Sequence, residues 1–240
     1  LASGQAAQVT VDGSTRYQTI DGFGGFGPAK VWWASAPYYD AAFINTLLDD
    51  LGLTILRTTV SASFEYENEN SDPNFTELSK YNTTSRVPND AENHLGVHFP
   101  FYRALRDAAN QRDIPLKIIS TIWTPPAWMK TNNAIRDGGN LRTDRRDEFG
   151  EYCAAYIKTI KQECDIDIYA FNIQNEPVFV EPYESCVYSN LQYYEALKVV
   201  AARFRSEGIG TKFFLPEDVN NLARTRSFVG PACSDADVVG

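Results

Sequence analysis

Ile168-Tyr-Ala-Phe-Asn-Ile-Gln-Asn-Glu-Pro177 is a mainly apolar run that ends abruptly on Asn175-Glu176-Pro177, and its reading decides the fold. Residues Ile168 to Ile173 lack the strict apolar–polar alternation of a half-exposed sheet, which predicts a parallel strand covered by helices. The proline that follows cannot continue a helix, so the Glu176 carboxylate is left at the strand's C-terminal lip. In barrels of parallel strands, that lip is where catalytic side chains gather. An isolated Asn-Glu-Pro would suit an ordinary strand–helix loop equally well. Its weight comes from the neighbouring strands.

Outward from this stretch, strand and helix alternate from about residue 22. Gly22 to Gly27 predicts a glycine-rich first strand, Ile55 to Thr59 a second and Lys117 to Trp123 a third. Lys212 to Glu217 predicts a fifth, and Asp237 to Gly240 reads as the opening of a sixth. Apolar residues at helical spacing fill the intervals, for example Phe149, Cys153, Tyr156, Ile157 and Ile160 between the third and fourth strands. Repeated βα units of this kind imply an α/β fold with a parallel sheet and right-handed crossovers. Such a sheet is either open and doubly wound or part of a closed barrel. Ahead of the rhythm, Gln8 to Gly13 and Arg16 to Ile20 read as a β-hairpin belonging to a separate layer. The polar segment from Glu65 to Gly96 is too long for a connector and predicts a functional loop.

With 240 residues and 43% hydrophobic content the chain can build one barrel-sized core. Its net charge of −9 argues against a nucleic-acid or anionic-membrane surface and favours a neutral partner. No apolar run reaches membrane-spanning length. No cofactor is expected: the Gly22 to Gly27 run lacks the helix start and the acidic residue of a dinucleotide fingerprint. No metal is expected either. The four cysteines have no Cys-x-x-Cys spacing, and no Glu lies between His94 and His98 in a zincin pattern. Leu1-Ala-Ser-Gly-Gln-Ala-Ala reads as a processed terminus, and Asn74-Phe-Thr76 and Asn82-Thr-Thr84 as sequons, so secretion is the expected localisation.

Four consecutive strand ends carry side chains suited to a site. They are Arg57 on the second, Trp123 and, past Thr-Pro-Pro-Ala, Trp128 on the third, Asn175 and Glu176 on the fourth, and Glu217-Asp218 on the fifth. Trp33, just past the first strand, is either a substrate platform or part of a packed cluster. Each alone has a plain structural reading: an ion pair for Arg57, core packing for Trp123, solvated charges for Glu217 and Asp218. Their succession at one end of a sheet points to a site.

Together, Asp21-Gly-Phe-Gly-Gly-Phe-Gly27, Ile55-Leu-Arg57, Ile119-Ser-Thr-Ile-Trp-Thr-Pro-Pro-Ala-Trp-Met-Lys130 and Phe171-Asn-Ile-Gln-Asn-Glu-Pro177 resemble glycoside hydrolase family 30. That family includes glucosylceramidases, endo-β-1,6-glucanases and xylanases. The resemblance implies a (β/α)8 barrel, of which residues 21–240 supply roughly strands one to six. Residues 1–20 would contribute their hairpin to a side β-sandwich. It implies Glu176 as general acid/base of a retaining β-glycosidase and Asn175 as a holder of the neighbouring sugar hydroxyl. Arg57 would support the catalytic carboxylates, and Trp123 would line the subsite of the attacked sugar. Glu217, Trp128 and Trp33 are further expected substrate contacts. The nucleophile is expected on a seventh strand beyond residue 240, so the implied partners are an oligosaccharide, polysaccharide or glycolipid substrate and the C-terminal remainder of the same enzyme. A non-catalytic carbohydrate-binding or scaffold protein is the rival reading. In such a barrel Cys153 and Cys186 lie towards the active-site face, making Cys153–Cys186 the expected disulfide. Cys164 and Cys233 fall near the other face, separated by a strand.

Overall fold

The computed structural model describes residues 8–27, 40–84, 86, 94–218 and 221–239. Five strands form one parallel sheet in chain order: β1 (Gly24–Phe26), β2 (Ile55–Val60), β3 (Lys117–Ile122), β4 (Ile168–Asn172) and β5 (Lys212–Phe213). Matched registers such as Ile55↔Lys117 and Phe171↔Phe213 bring the C-terminal ends of the strands to one rim. Only β3–β4 is irregular, with a register shift between Ile118 and Ile119. This is the α/β architecture expected, a partial barrel.

Close approach explains Gly24 of β1. A Cβ on Gly24 would run into the Ile55 carbonyl oxygen and stand 2.8 Å from the Ile55 Cβ. Only a residue without a side chain lets β1 pair with β2 here.

The connecting helices are started and stopped by local chemistry. Asp40 accepts from the Ala42 N–H at the start of α1 (Ala41–Asn45), which runs on into a π-helical turn, Thr46–Asp50. Pro100 sits in the first turn of α2 (Phe99–Asn110), where its missing N–H costs no bond. In α3 (Arg146–Cys164), Asp147 and Glu148 occupy the first turn, where the helix dipole favours negative charge, and Asp165 turns left-handed to end it. Ser189 and Gln192 close a reciprocal capping box on α4 (Asn190–Ser206). The core lies between sheet and helices: Phe149, Tyr152, Tyr156, Phe171 and Tyr193 are wholly buried.

Three expectations need correction. The predicted sixth strand is a short helix, α6 (Ala236–Val239), following α5 (Leu222–Cys233). A strand there would have to extend a ladder along β5, which pairs over only two residues. Instead the Val238 N–H bonds locally to the Asp235 carbonyl, and Val238 packs on the core. The fifth strand is shorter than predicted, reduced to Lys212–Phe213 and an isolated bridge at Glu217. The hairpin over 8–20 forms a turn, where Asp12 accepts from Ser14 and Thr15, but no ladder. Val9, Val11, Tyr17 and Ile20 stay exposed. A lone two-stranded hairpin with no face to cover is marginal at best in water.

Candidate active site

Strand register gathers the candidate residues. From Phe171↔Phe213, β4 and β5 run on in step to a parallel bridge at Asn175↔Glu217. The Asn175 N–H donates to the Ile122 carbonyl at 2.7 Å, and the Glu176 N–H to the Glu217 carbonyl at 2.9 Å. The chain past β4 is thereby held between both neighbouring strands. At Glu176 the backbone turns to φ +44°, a left-handed conformation that a non-glycine residue adopts at a cost of about 1–3 kcal/mol. Pro177 follows, with its carbonyl accepting from the Tyr188 N–H at 2.7 Å. The half-exposed Glu176 side chain stands at this bend, on the rim of the sheet.

Arg57 lies at the centre. Its Nε is 2.7 Å from Glu217 Oε1, and its Nη2 donates to Asn175 Oδ1 at 2.8 Å. The guanidinium also lies 5.2 Å from the Phe26 ring centre and 5.0 Å from that of Trp123. Those two rings meet edge to face. Each such cation–π contact contributes about 0.5–1 kcal/mol at a partly exposed position. Arg57 and Glu217 are each about a quarter exposed, at 23% and 24%, so the pair can reach a ligand from the rim.

Glu217 is fully engaged. Besides Arg57 on Oε1, its Oε2 accepts from Thr121 Oγ1 at 2.6 Å and from Asn172 Nδ2 at 2.9 Å. The Asn172 amide is itself oriented, because its Oδ1 accepts from Tyr193 OH at 2.9 Å and from the Gln174 N–H. Burial, with the Glu217 charge nearby, pushes the Tyr193 phenol well above its ordinary range, so it stays a donor. Gln174 adds a bond from its Nε2 to the Trp123 carbonyl at 2.7 Å, tying the third strand end to the fourth.

Arg57 thus contacts Asn175, Glu217 and Trp123, with Glu176 joined to the group through the backbone. Trp128 stands one step out: its indole N–H donates to the Glu65 carbonyl at 3.1 Å, and Arg145 lies over its ring. Trp33 falls outside the described residues. Asp218 is a wholly buried carboxylate gripped by both arms of Arg224 on α5, not a solvated charge. All four cysteines are free thiols; the expected Cys153–Cys186 bridge is not formed, though both are buried. Burial pushes the Cys186 thiol up to about 11, while Lys130 pulls it the other way. Of the two sequons, Asn74 is exposed and Asn82 is buried. The reading of the sequence missed Thr121, Asn172, Gln174 and Tyr193. A signal existed for the first two, which are polar residues near the C-terminal ends of strands rich in apolar residues.

The glycosyl hydrolase family 30 TIM-barrel domain profile matches residues 88–192. An endo-1,6-β-D-glucanase of Neurospora crassa is 28% identical over 188 residues, covering 71% of this chain and 36% of the glucanase. Among solved structures, an endo-β1,6-glucanase superposes with a TM-score of 0.70 at 21% identity, covering 95% of this chain and 51% of that one. A family 30 subfamily 8 xylanase from Clostridium acetobutylicum gives 0.66 at 22%, covering 95% and 49%. The chain therefore spans about a third of the curated relative and about half of each solved structure. The profile match and the curated relative, with the partial barrel shared with family 30 structures, support a place for this chain in the N-terminal portion of glycosyl hydrolase family 30.

Proposed function

We propose that this chain carries the acid/base half of a retaining β-glycosidase acting on a neutral glycan outside the cytoplasm. The observation that supports it most is the rim cluster: a partly exposed carboxyl, Glu176, beside an Arg57–Asn175–Glu217 network at the C-terminal ends of parallel strands. Retaining glycosidases need two carboxyl groups about 5–5.5 Å apart, one to protonate the leaving oxygen and one to attack the anomeric carbon. Glu176 takes the first role. Asn175 holds the adjacent sugar hydroxyl through its amide, whose oxygen Arg57 fixes. Trp123 offers an indole face to the sugar's C–H surface, with Trp128 one step out.

Glu217 is ill-suited to the second role. Arg57, Thr121 and Asn172 occupy its oxygens, so it orients Arg57 and contacts substrate. The nucleophile comes from the barrel segment after residue 240, which makes that segment an obligatory partner. The endo-1,6-glucanase relative and the xylanase neighbour suggest a β-linked polysaccharide as substrate class.

The test is Glu176→Gln in the full-length enzyme, assayed on one substrate with a poor leaving group and one activated aryl glycoside. Loss of an acid catalyst lowers the first rate by roughly 10²–10⁴-fold and spares bond cleavage in the second. Equal losses on both would sink the assignment. Saturable glycan binding by a full-length protein that turns over neither substrate would favour a binding module instead.

A further inference from the structure

Behind the rim, the segment leaving β2 folds back over α3 and α4 and buries carboxyl groups between them. Glu65 is 2% exposed, Glu148 5% and Glu151 1%, with Glu69 half-buried beside them. The contacts that hold this segment down pass through the same groups. The Asn68 Nδ2 donates to Glu148 Oε1 at 3.2 Å, the Glu77 N–H to Glu69 Oε1 at 3.0 Å, and the Glu69 N–H to Glu65 Oε1 at 3.4 Å. From α4, Arg203 donates to the Pro73 carbonyl and, at 2.9 Å, to Thr76 Oγ1.

Positive charge in the cluster is short. Arg203 stands 4.0 Å from Glu151 and is shared with Glu207, which Lys158 also pairs; Arg145 is 3.8 Å from Glu148. Lys80 turns outward to Glu77 and the Glu69 carbonyl. Asp147 adds negative charge beside Glu148, and the Tyr152 phenol and Cys153 thiol of α3 face Glu65.

Several oxygens there accept no hydrogen bond from an N–H or hydroxyl donor: Glu65 Oε2, Glu69 Oε2, Glu148 Oε2 and Glu151 Oε1, the last with only the Arg203 charge at 4.0 Å. Independently, the wholly buried Tyr81 hydroxyl, among Glu65, Glu69 and Glu151, is also unpartnered. Glu69 and Glu151 lie within hydrogen-bonding reach of each other, and two such carboxylates cannot both ionise cheaply. Among the described residues, no group of three or more acidic, His or Cys side chains is arranged to hold a metal ion. The ligand that fits these oxygens is the proton.

We propose that Glu65, Glu148 and Glu151, with the Glu69 carboxylate beside them, form a proton-operated latch on residues 65–82: protonated, the three hold the segment against α3 and α4; ionised, they repel one another and Glu69 and release it. Because the Glu65 carbonyl anchors the Trp128 indole, release loosens that ring too. Burial raises Glu151 to about 7 and Glu65 well above the usual carboxylate range. A raised carboxyl binds its proton more tightly folded than unfolded. Its stabilisation is therefore complete below the ordinary Glu value and is lost as pH rises through the folded value. The latch is closed in acid and opens near and above neutrality.

Amide hydrogen exchange of the full-length protein tests this, comparing residues 66–80 with α4 amides after correction for intrinsic rates. Between about pH 5 and about pH 8, protection of 66–80 should fall roughly tenfold relative to α4. Glu151→Gln and Glu69→Gln should each flatten that fall. A flat wild-type ratio, or an equal fall in both variants, would overturn the proposal. So would protection at the higher pH regained on adding calcium, which would make this a cation site. If neither variant folds, carbon-13 carboxyl titration of the wild type decides: no glutamate titrating above the ordinary range would also overturn it.

Discussion

Arg57 makes contacts that a lysine cannot copy, since its planar fork serves Glu217 with Nε and Asn175 with Nη2 while its face covers two rings. Arg57→Lys should lower unfolding free energy by about 1.5–3 kcal/mol, the worth of a hydrogen bond to a charged group, read by denaturant titration. It should also raise KM, because Asn175 loses its orientation; an unchanged KM would place Asn175 outside the substrate site. Arg224→Ala is a sharper case. It strands the buried Asp218 carboxylate and should lower stability, whereas an effect near zero would mean that water reaches Asp218. Asn175-Glu176-Pro177 was legible because a charged residue ends an apolar run. Thr121 and Asn172 were less so: a polar residue among the apolar ones of a strand signals burial with a partner, and only the folded register shows that both meet Glu217.

Elements are specified here by a few local devices, and each can be broken singly. Gly24→Ala should destabilise by about 1–3 kcal/mol, because a methyl group would collide with the Ile55 backbone and push β1 off β2. Gly13, with nothing within 4 Å of its added Cβ, is the matched control and should tolerate alanine. Removing the capping box with Ser189→Ala should cost about 1 kcal/mol in the same titration. The helices α2, α3 and α4 lie in the intervals between strands, where apolar residues at helical spacing predict them. Elements that failed were those whose state depends on a distant neighbour. Asp237 to Gly240 has strand-like valines, yet strand formation needs a ladder partner that β5 does not present there. Likewise, the 8–20 segment has strand-like alternation but no sheet to cover.

At the scale of the molecule, a barrel lip collects carboxyl groups from strands far apart in sequence. The account assigns one group to Glu176 and the other to the segment after residue 240. Residues 8–20 are proposed to join a side β-layer only in the full-length protein, where their amides should be protected from exchange; free exchange there would remove that proposal. The proposed role of Glu176 is acid and then base on one face of the sugar. Its most direct test is azide rescue of full-length Glu176→Ala on an activated aryl β-glycoside. Azide needs no base to attack the glycosyl-enzyme and can occupy the space of the lost carboxyl. The prediction is faster turnover with azide and a β-glycosyl azide product. No acceleration, or an α-glycosyl azide, would contradict it, the latter by making Glu176 the nucleophile.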